Sequence, residues 1–206
     1  KRHHRAFGNF ILSKNPKNII EIGGSDASLA NDILKKKKIK WTIIDPSAKN
    51  INKNNNIKII KKFFDSNSKF SFKNCDIVHS HTFEHIYDPH EFMRLLSKKI
   101  HKGSKMFFSV PNIKEMLKRY YTNALNFEHT FYLNEKVINF FLMTYGFKIN
   151  RKEYFMSDHS IFYETTKMNI INKVNFKNQY KENKLLFNKF INNYKKEIKK
   201  INSLMH

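Results

Sequence analysis

The chain has 206 residues, 40% of them hydrophobic and 15% aromatic, enough for one domain-sized core with room for an appendage. Its formal net charge of +22 invites a nucleic-acid partner, but Lys, Asn, Ile and Phe are over-used together and the cations are scattered, apart from Lys35 to Lys38 and the C-terminal tail. The charge is therefore read as compositional, as in an AT-rich coding sequence, and secondarily as a surface that attracts phosphorylated substrates; nucleic acid is not the favoured partner. The single cysteine, Cys75, excludes an internal disulfide or a cysteine zinc site and suits a reducing cytoplasm. No run of about 18 apolar residues predicts a membrane span, and the N-terminus lacks a signal-peptide layout. The chain does not open on Met, so residues upstream are expected.

Residues Lys1 to Ser13 read as a helix, with Phe7, Phe10 and Ile11 at helical spacing. Asn18 to Ile22 (NIIEI) is a buried strand that meets a tight turn at Gly23-Gly24. A helix over Ser28 to Lys37 and a strand over Lys40 to Ile44 follow, the strand closed by Asp45-Pro46. Ile57 to Phe64 and Asp76 to His79 are the third and fourth strands. Pro89 to Ile100 is a helix, and Lys105 to Val110 is a fifth strand stopped by Pro111. This alternation predicts a parallel sheet with helices on both faces.

After Asn112 the pattern changes. Ile113 to Tyr121 is helical, Asn123 to Leu133 is a polar-aromatic loop, and Asn134 to Tyr145 is a helix ended by Gly146. Phe147 to Tyr154 and Ser160 to Thr165 read as a final antiparallel hairpin. The expected fold is thus α/β and Rossmann-like: a seven-stranded, mostly parallel sheet with helices on both faces, an antiparallel edge hairpin and a C-terminal amphipathic helix. Residues 1–168 form the expected domain and 169–206 a helical extension. In that extension Phe187, Ile191, Tyr194, Ile198, Ile201 and Met205 recur at spacings of 4, 3, 4, 3 and 4. The stripe fits packing on its own domain, a homodimer, or docking to a following domain, and the sequence leaves these open.

A strand that ends in an acidic residue and a Gly-containing turn, with a helix behind, exposes backbone N–H groups to a ligand. Here the turn is Glu21-Ile22-Gly23-Gly24-Ser25-Asp26, which is not a full G-x-G-x-x-G. Asp45 stands at the next strand end, roughly twenty residues on, where a carboxylate can take both hydroxyls of a ribose; the blander role is a helix cap or turn residue. Glu21 to Ser28 (EIGGSDAS), Asp45 and Cys75 to Pro89 (CDIVHSHTFEHIYDP) resemble, in order and spacing, successive motifs of class I S-adenosylmethionine-dependent methyltransferases, over about Arg5 to Thr165. The resemblance implies S-adenosylmethionine as cofactor, with Gly23 and its neighbours under the methionine part and Asp45 on the ribose. Asp65, or the adjacent Phe63 and Phe64, then meets adenine. The implied binding set is Glu21, Gly23, Gly24, Ser25, Asp26, Asp45, Pro46, Phe64, Asp65 and His81. The Gly-Gly-Ser centre departs from the commoner Gly-x-Gly. An NAD-dependent dehydrogenase would use the same turn, but no hydride-transfer site accompanies it.

Histidines mark the acceptor side: His79, His81 and His85 around the fourth strand's end, His129 beside Glu128 in the later loop, and His3-His4 in the leading helix. Methyl transfer is an in-line displacement at a sulfonium carbon, and a base is needed where the acceptor carries a proton. Histidine titrates near working pH, and Glu128 can orient His129. His85, Glu128 and His129 are the candidate catalytic residues, although a Glu-His pair after the fourth strand can also simply support the fold. His79 and His81, two apart, can point the same way, but no carboxylate pair accompanies them, so no metal site is expected. Cys75 reads as a packed strand residue, and no Asp/Asn-Pro-Pro-aromatic motif for amino-base methylation is present.

His81 onward (HTFEHIYDPHEFMRLL), Val110-Pro111-Asn112 and Glu128 to Tyr132 are similar to the sugar C-methyltransferase group, which acts on nucleotide-linked keto sugars. His85, Glu128 and His129 match its acceptor motifs. Asn126 stands where that group has Tyr, and its cysteine-rich zinc region has no counterpart here. The segment from Tyr180 is similar to the helix leading into that group's C-terminal domain. The function expected first is methylation, at oxygen or carbon, of a sugar, nucleotide sugar or related phosphorylated metabolite. An RNA or protein methyltransferase and a non-catalytic cofactor-binding module are the alternatives.

Overall fold

The computed structural model describes residues 2–51, 53–157, 159–168 and 175–204. The helices are α1 (Arg2–Leu12), α2 (Ser28–Leu34), α3 (Pro89–Lys99), α4 (Ile113–Lys118), α5 (Glu135–Thr144) and α6 (Tyr180–Leu204). The strands are β1 (Asn18–Ile22), β2 (Lys40–Ile44), β3 (Ile57–Ile60), β4 (Asp76–Ser80), β5 (Lys105–Pro111), β6 (Phe147–Phe155) and β7 (Ser160–Lys167). They form one sheet in the order β3-β2-β1-β4-β5-β7-β6. The first five strands are parallel, and β7 enters antiparallel between β5 and β6. The Rossmann-like sheet with a reversed edge hairpin is therefore as the sequence predicts.

The two faces follow from strand periodicity. On β1, Ile19 faces a core made with Phe7, Phe10 and Ile11 of α1 and Leu29, Ala30 and Ile33 of α2. Ile20 and Ile22 face the other core, with Phe92 and Leu96 of α3 and Ile138 and Phe141 of α5. A strand covered on both faces must be apolar almost throughout, which is why NIIEI carries one polar interior residue, Glu21. Each buried Ile or Phe contributes roughly 1.5–3 kcal/mol. Helix starts are chemically marked: the Asp88 side chain accepts from the Glu91 N–H with Pro89 at the first position, and Asn134 accepts from the Val137 N–H.

Three expectations change in detail. The third strand stops at Ile60, not Phe64: the Lys62 N–H turns back to the Ile60 carbonyl, and Phe64 leaves the sheet to pack on Phe72 and Phe92. The second helix stops at Leu34, as four adjacent like charges, Lys35 to Lys38, unwind into a turn. On α6 the docking face is Leu186, Phe187, Phe190 and Tyr194, which meet Ile113, Met116 and Leu117 of α4; only Phe190 is fully buried. Ile198 and Ile201 remain exposed because the helix runs past α4. Met205, the last member of the apolar stripe, and Lys1 of the leading helix lie outside the described residues. Among those described, no helix is long and apolar enough to cross a membrane.

The antiparallel hairpin is locked to α1 through one buried carboxylate. Glu164 of β7 lies 3.5 Å from Lys14, 3.6 Å from Lys105 and 3.3 Å from Arg151. The Arg151 guanidinium also covers the Phe10 ring at 3.9 Å and donates to the Phe10 carbonyl. Removing the carboxylate strands three cations against the sheet. Glu164→Ala is expected to lower stability by about 2 kcal/mol, less than a fully buried pair because the cations reach solvent. The denaturation midpoint of the variant measures this, and an unchanged midpoint would refute the locking role.

Candidate functional site

The turn after β1 is built by exclusion of side chains. Gly23 has φ 76°, and a Cβ there would sit 2.5 Å from Thr82 Oγ1. A Cβ on Gly24 would sit 2.6 Å from Ile43 and 3.1 Å from the Glu21 carboxyl. Ser25 and Ala27 also take positive φ, at 43° and 60°. The backbone is thus wound tightly against the end of β4 on one side and Glu21 on the other. Glu21 itself is buried and accepts from Trp41 Nε1–H at 2.8 Å. Burial, reinforced by the nearby Asp45 and Asp26 charges, pushes its carboxyl up to about 7 despite that bond.

Asp45 clamps the same turn. Its Oδ2 accepts from the Ser25 N–H at 2.9 Å, and its Oδ1 accepts from the Ser47 N–H at 2.7 Å and hydroxyl at 2.8 Å. The Lys49 N–H returns to the Ser25 carbonyl at 2.7 Å. The turn role and a ligand role are compatible, because each carboxylate oxygen has two lone pairs. Asp26 holds the start of α2: its oxygens take the Ser28 N–H and hydroxyl, which keep its carboxyl below the ordinary range. Pro46 follows Asp45 on the surface. Phe64 is packed into the core, Phe63 is 71% exposed, and Asp65 accepts from the Asn67 N–H and Ser68 hydroxyl of its own turn.

The histidines divide sharply. His79 is buried and stacked on Phe108 with centroids 4.8 Å apart, its ring nitrogens have no hydrogen-bond partner among the described residues, and burial pulls its pKa down to about 3. His81 comes after the strand has ended, with φ 49°, a region that His tolerates better than most residues. Its Nε2 lies 3.1 Å from His3 Nε2 and its Nδ1 3.2 Å from Glu84 Oε1. His79 and His81 therefore do not point the same way, because the left-handed residue breaks the strand alternation. His3 is held down to about 3, by burial first and by His81 next.

Residues Phe83–His85 form a 3-10 turn that carries the acceptor-side cluster. His85 Nδ1 lies 2.9 Å from the Glu128 carbonyl, and the His85 and His129 rings are 5.2 Å apart. Thr130 pins the loop down: its N–H donates to the Glu84 carbonyl at 3.0 Å and its hydroxyl to the Ile86 carbonyl at 2.7 Å. Burial lowers the His129 pKa. Glu128 is exposed and gives His85 its carbonyl; the carboxylate grouped with the two imidazoles is Glu84, 1% exposed. Sequence reasoning placed His3 on the acceptor side without its contact to His81, and read Glu84, in the Glu-His pair after the fourth strand, as a support of the fold and not as a member of this network. For His3 the signal was present, since it shares a helix face with Phe7 and Phe10.

An open parallel sheet with a reversed edge hairpin and an acid-clamped glycine turn at its C-terminal edge defines the class: this is the architecture of S-adenosylmethionine-dependent methyltransferases. A family model described as a methyltransferase domain matches residues 1–152, and the chain belongs to that family. Among curated proteins no relative matches. The N-methyltransferase NodS of Bradyrhizobium japonicum is similar with a TM-score of 0.57 at 13% identity, over 81% of this chain and 95% of its own. A magnesium protoporphyrin IX methyltransferase from Synechocystis has a TM-score of 0.60 at 12% identity, over 80% and 83%. An S-adenosylmethionine-dependent methyltransferase from Aquifex aeolicus has 0.59 at 14%, over 77% and 88%. The protein is an S-adenosylmethionine-dependent methyltransferase.

The buried, unpartnered His79 makes stability depend on pH. Its folded pKa of about 3 lies below the ordinary histidine value of 6.5, so the unfolded chain binds the extra proton and stability falls as pH drops below 6.5. His79→Leu removes that penalty. The variant is expected to exceed the parent by an amount that grows, once the pH is below 6.5, at a rate approaching about 1.4 kcal/mol per pH unit. Parallel melts at pH 7 and pH 5 test this; an equal gap at both would show that His79 is not neutral in the fold.

Proposed function

We propose that this methyltransferase acts on a small oxygen-rich acceptor, a sugar, nucleotide sugar or related phosphorylated metabolite, in carbohydrate biosynthesis in the cytoplasm. The cofactor's methionine part lies along Gly23, Gly24, Ser25 and Asp26 above Glu21, and its ribose takes Asp45 beside Pro46. Phe64 and Asp65 border the adenine, and His81 closes the methyl side. The catalytic domain is residues 1–168, with the remainder, which carries α6, as a C-terminal extension and the exposed end of α6 as the surface for a second copy.

The observation that carries this reading is the contact between Gly23 and Thr82, because it sets the cofactor turn against the segment that continues into Glu84 and His85. The acceptor oxygen or carbon attacks the methyl carbon as the bond to sulfur breaks, and its proton passes to His129 or His85. Phe127, which precedes Glu128, is 97% exposed and Tyr87, two residues after His85, is 93% exposed, and such rings suit the flat face of a sugar or base.

Calorimetric titration with S-adenosylhomocysteine is the first test. Micromolar-range binding is expected, weakened about tenfold or more in Asp45→Ala through loss of charge-assisted bonds to ribose. Absence of binding by a folded chain would sink the cofactor assignment. His129→Ala should bind the cofactor product as the parent does, yet lose roughly 10²–10⁴-fold in turnover on an accepted nucleotide sugar. Methylation of RNA or protein in place of sugars would overturn the acceptor class.

A further inference from the structure

We infer that Glu84, His85 and His129 form a binding site for a divalent cation of the zinc type. One ligand atom from each of the three lies within 4.8 Å of the others. Glu84 is the independent sign: it is 1% exposed, and neither carboxylate oxygen accepts a hydrogen bond among the described residues. Besides the two imidazoles of the cluster, the His81 ring approaches it, with Nδ1 3.2 Å from Oε1. A buried carboxylate so poorly satisfied costs free energy unless something positive completes it.

The two imidazoles are prepared for the same task. A carbonyl oxygen only accepts, so His85 Nδ1 carries the proton in its 2.9 Å contact with the Glu128 carbonyl, which leaves the Nε2 lone pair for a ligand. His129 is held beside it by the Thr130 bonds to the 3-10 turn. Two nitrogens and one carboxylate suit Zn²⁺ or Co²⁺ and leave open positions for a hydroxyl or keto oxygen. An ion about 2.1 Å from each ligand needs them about 3.5 Å apart, a contraction of roughly 1 Å that rotation of the half-exposed imidazoles supplies.

The inference rests on the acceptor-side reading above only for its purpose. With the ion bound, His85 and His129 are ligands and not bases; an acceptor hydroxyl on the metal is acidified, gives its proton to solvent and takes the methyl as the carbon–sulfur bond breaks. The test is calorimetric titration of chelator-treated protein with ZnCl₂, and with CoCl₂ followed by visible absorption, without cofactor. About one ion per chain is expected, with affinity reduced tenfold or more in Glu84→Gln and in His129→Ala. The exposed His101→Ala should bind as the parent does. Failure of the parent to bind, or unchanged affinity in both variants, overturns the inference and leaves the histidines as bases. Binding lost equally in His101→Ala would mean scattered surface histidines, and overturns it as well. S-adenosylhomocysteine titration of the same samples verifies their fold and separately decides the cofactor assignment.

Discussion

The constraint on which the site depends is the missing side chain at Gly23. Parallel strands β1 and β4 are neighbours, and both end at the same edge of the sheet. Whatever follows β1 must therefore share space with whatever follows β4. With hydrogen at Gly23 the backbone can lie directly against Thr82, and the glycine turn and the segment leading into Glu84 and His85 become one surface. A methyl group there would need both a left-handed φ and a 2.5 Å contact, so the two halves of the site would have to separate. Proximity of the two segments is in this sense a property of the backbone before any side chain is considered.

Around that contact the chain places acids where water is scarce. Glu21 supports the turn from the α1–α2 face, Asp45 ties it to β2, and Glu84 sits below the histidine pair. Their partners differ, and so do their tasks. Glu21 has an indole donor and Asp45 has three donors, so each is completed by the protein. Glu84 is not. The same residue type thus reads as scaffold or as site according to whether its lone pairs are occupied.

Most of the sheet was legible because buried parallel strands must be apolar and end in turn residues, as NIIEI does before Gly23-Gly24 and KWTII before Asp45-Pro46. The third strand was overextended because an apolar run does not distinguish pairing from a loop that drops a side chain into the core, as Phe64 does. The stripe on α6 predicted the helix but left its coverage open for a related reason. Periodicity names a face but not how much of it is covered, and α4 is only six residues long. Around the glycine turn, Asp45 was legible as a residue that closes a strand, and its bonds to Ser25 and Ser47 are those of a turn residue. Glu84 was legible only as half of a fold-supporting Glu-His pair, because its burial comes from the tertiary packing of Thr130 over the turn.

The insertion of β7 between β5 and β6 also governs how the protein comes into being. When β5 leaves the ribosome its free edge, Met106 to Val110, is an apolar ribbon with unpaired backbone groups. Its partner, Ser160 to Lys167, lies some fifty residues downstream, beyond α4, α5 and β6. The half of the sheet that carries the acceptor cluster therefore cannot close during synthesis of the first five strands. It waits, sticky, for a late segment to thread between two strands already made, and that interval of exposed edge is where nascent chains would aggregate or recruit a chaperone.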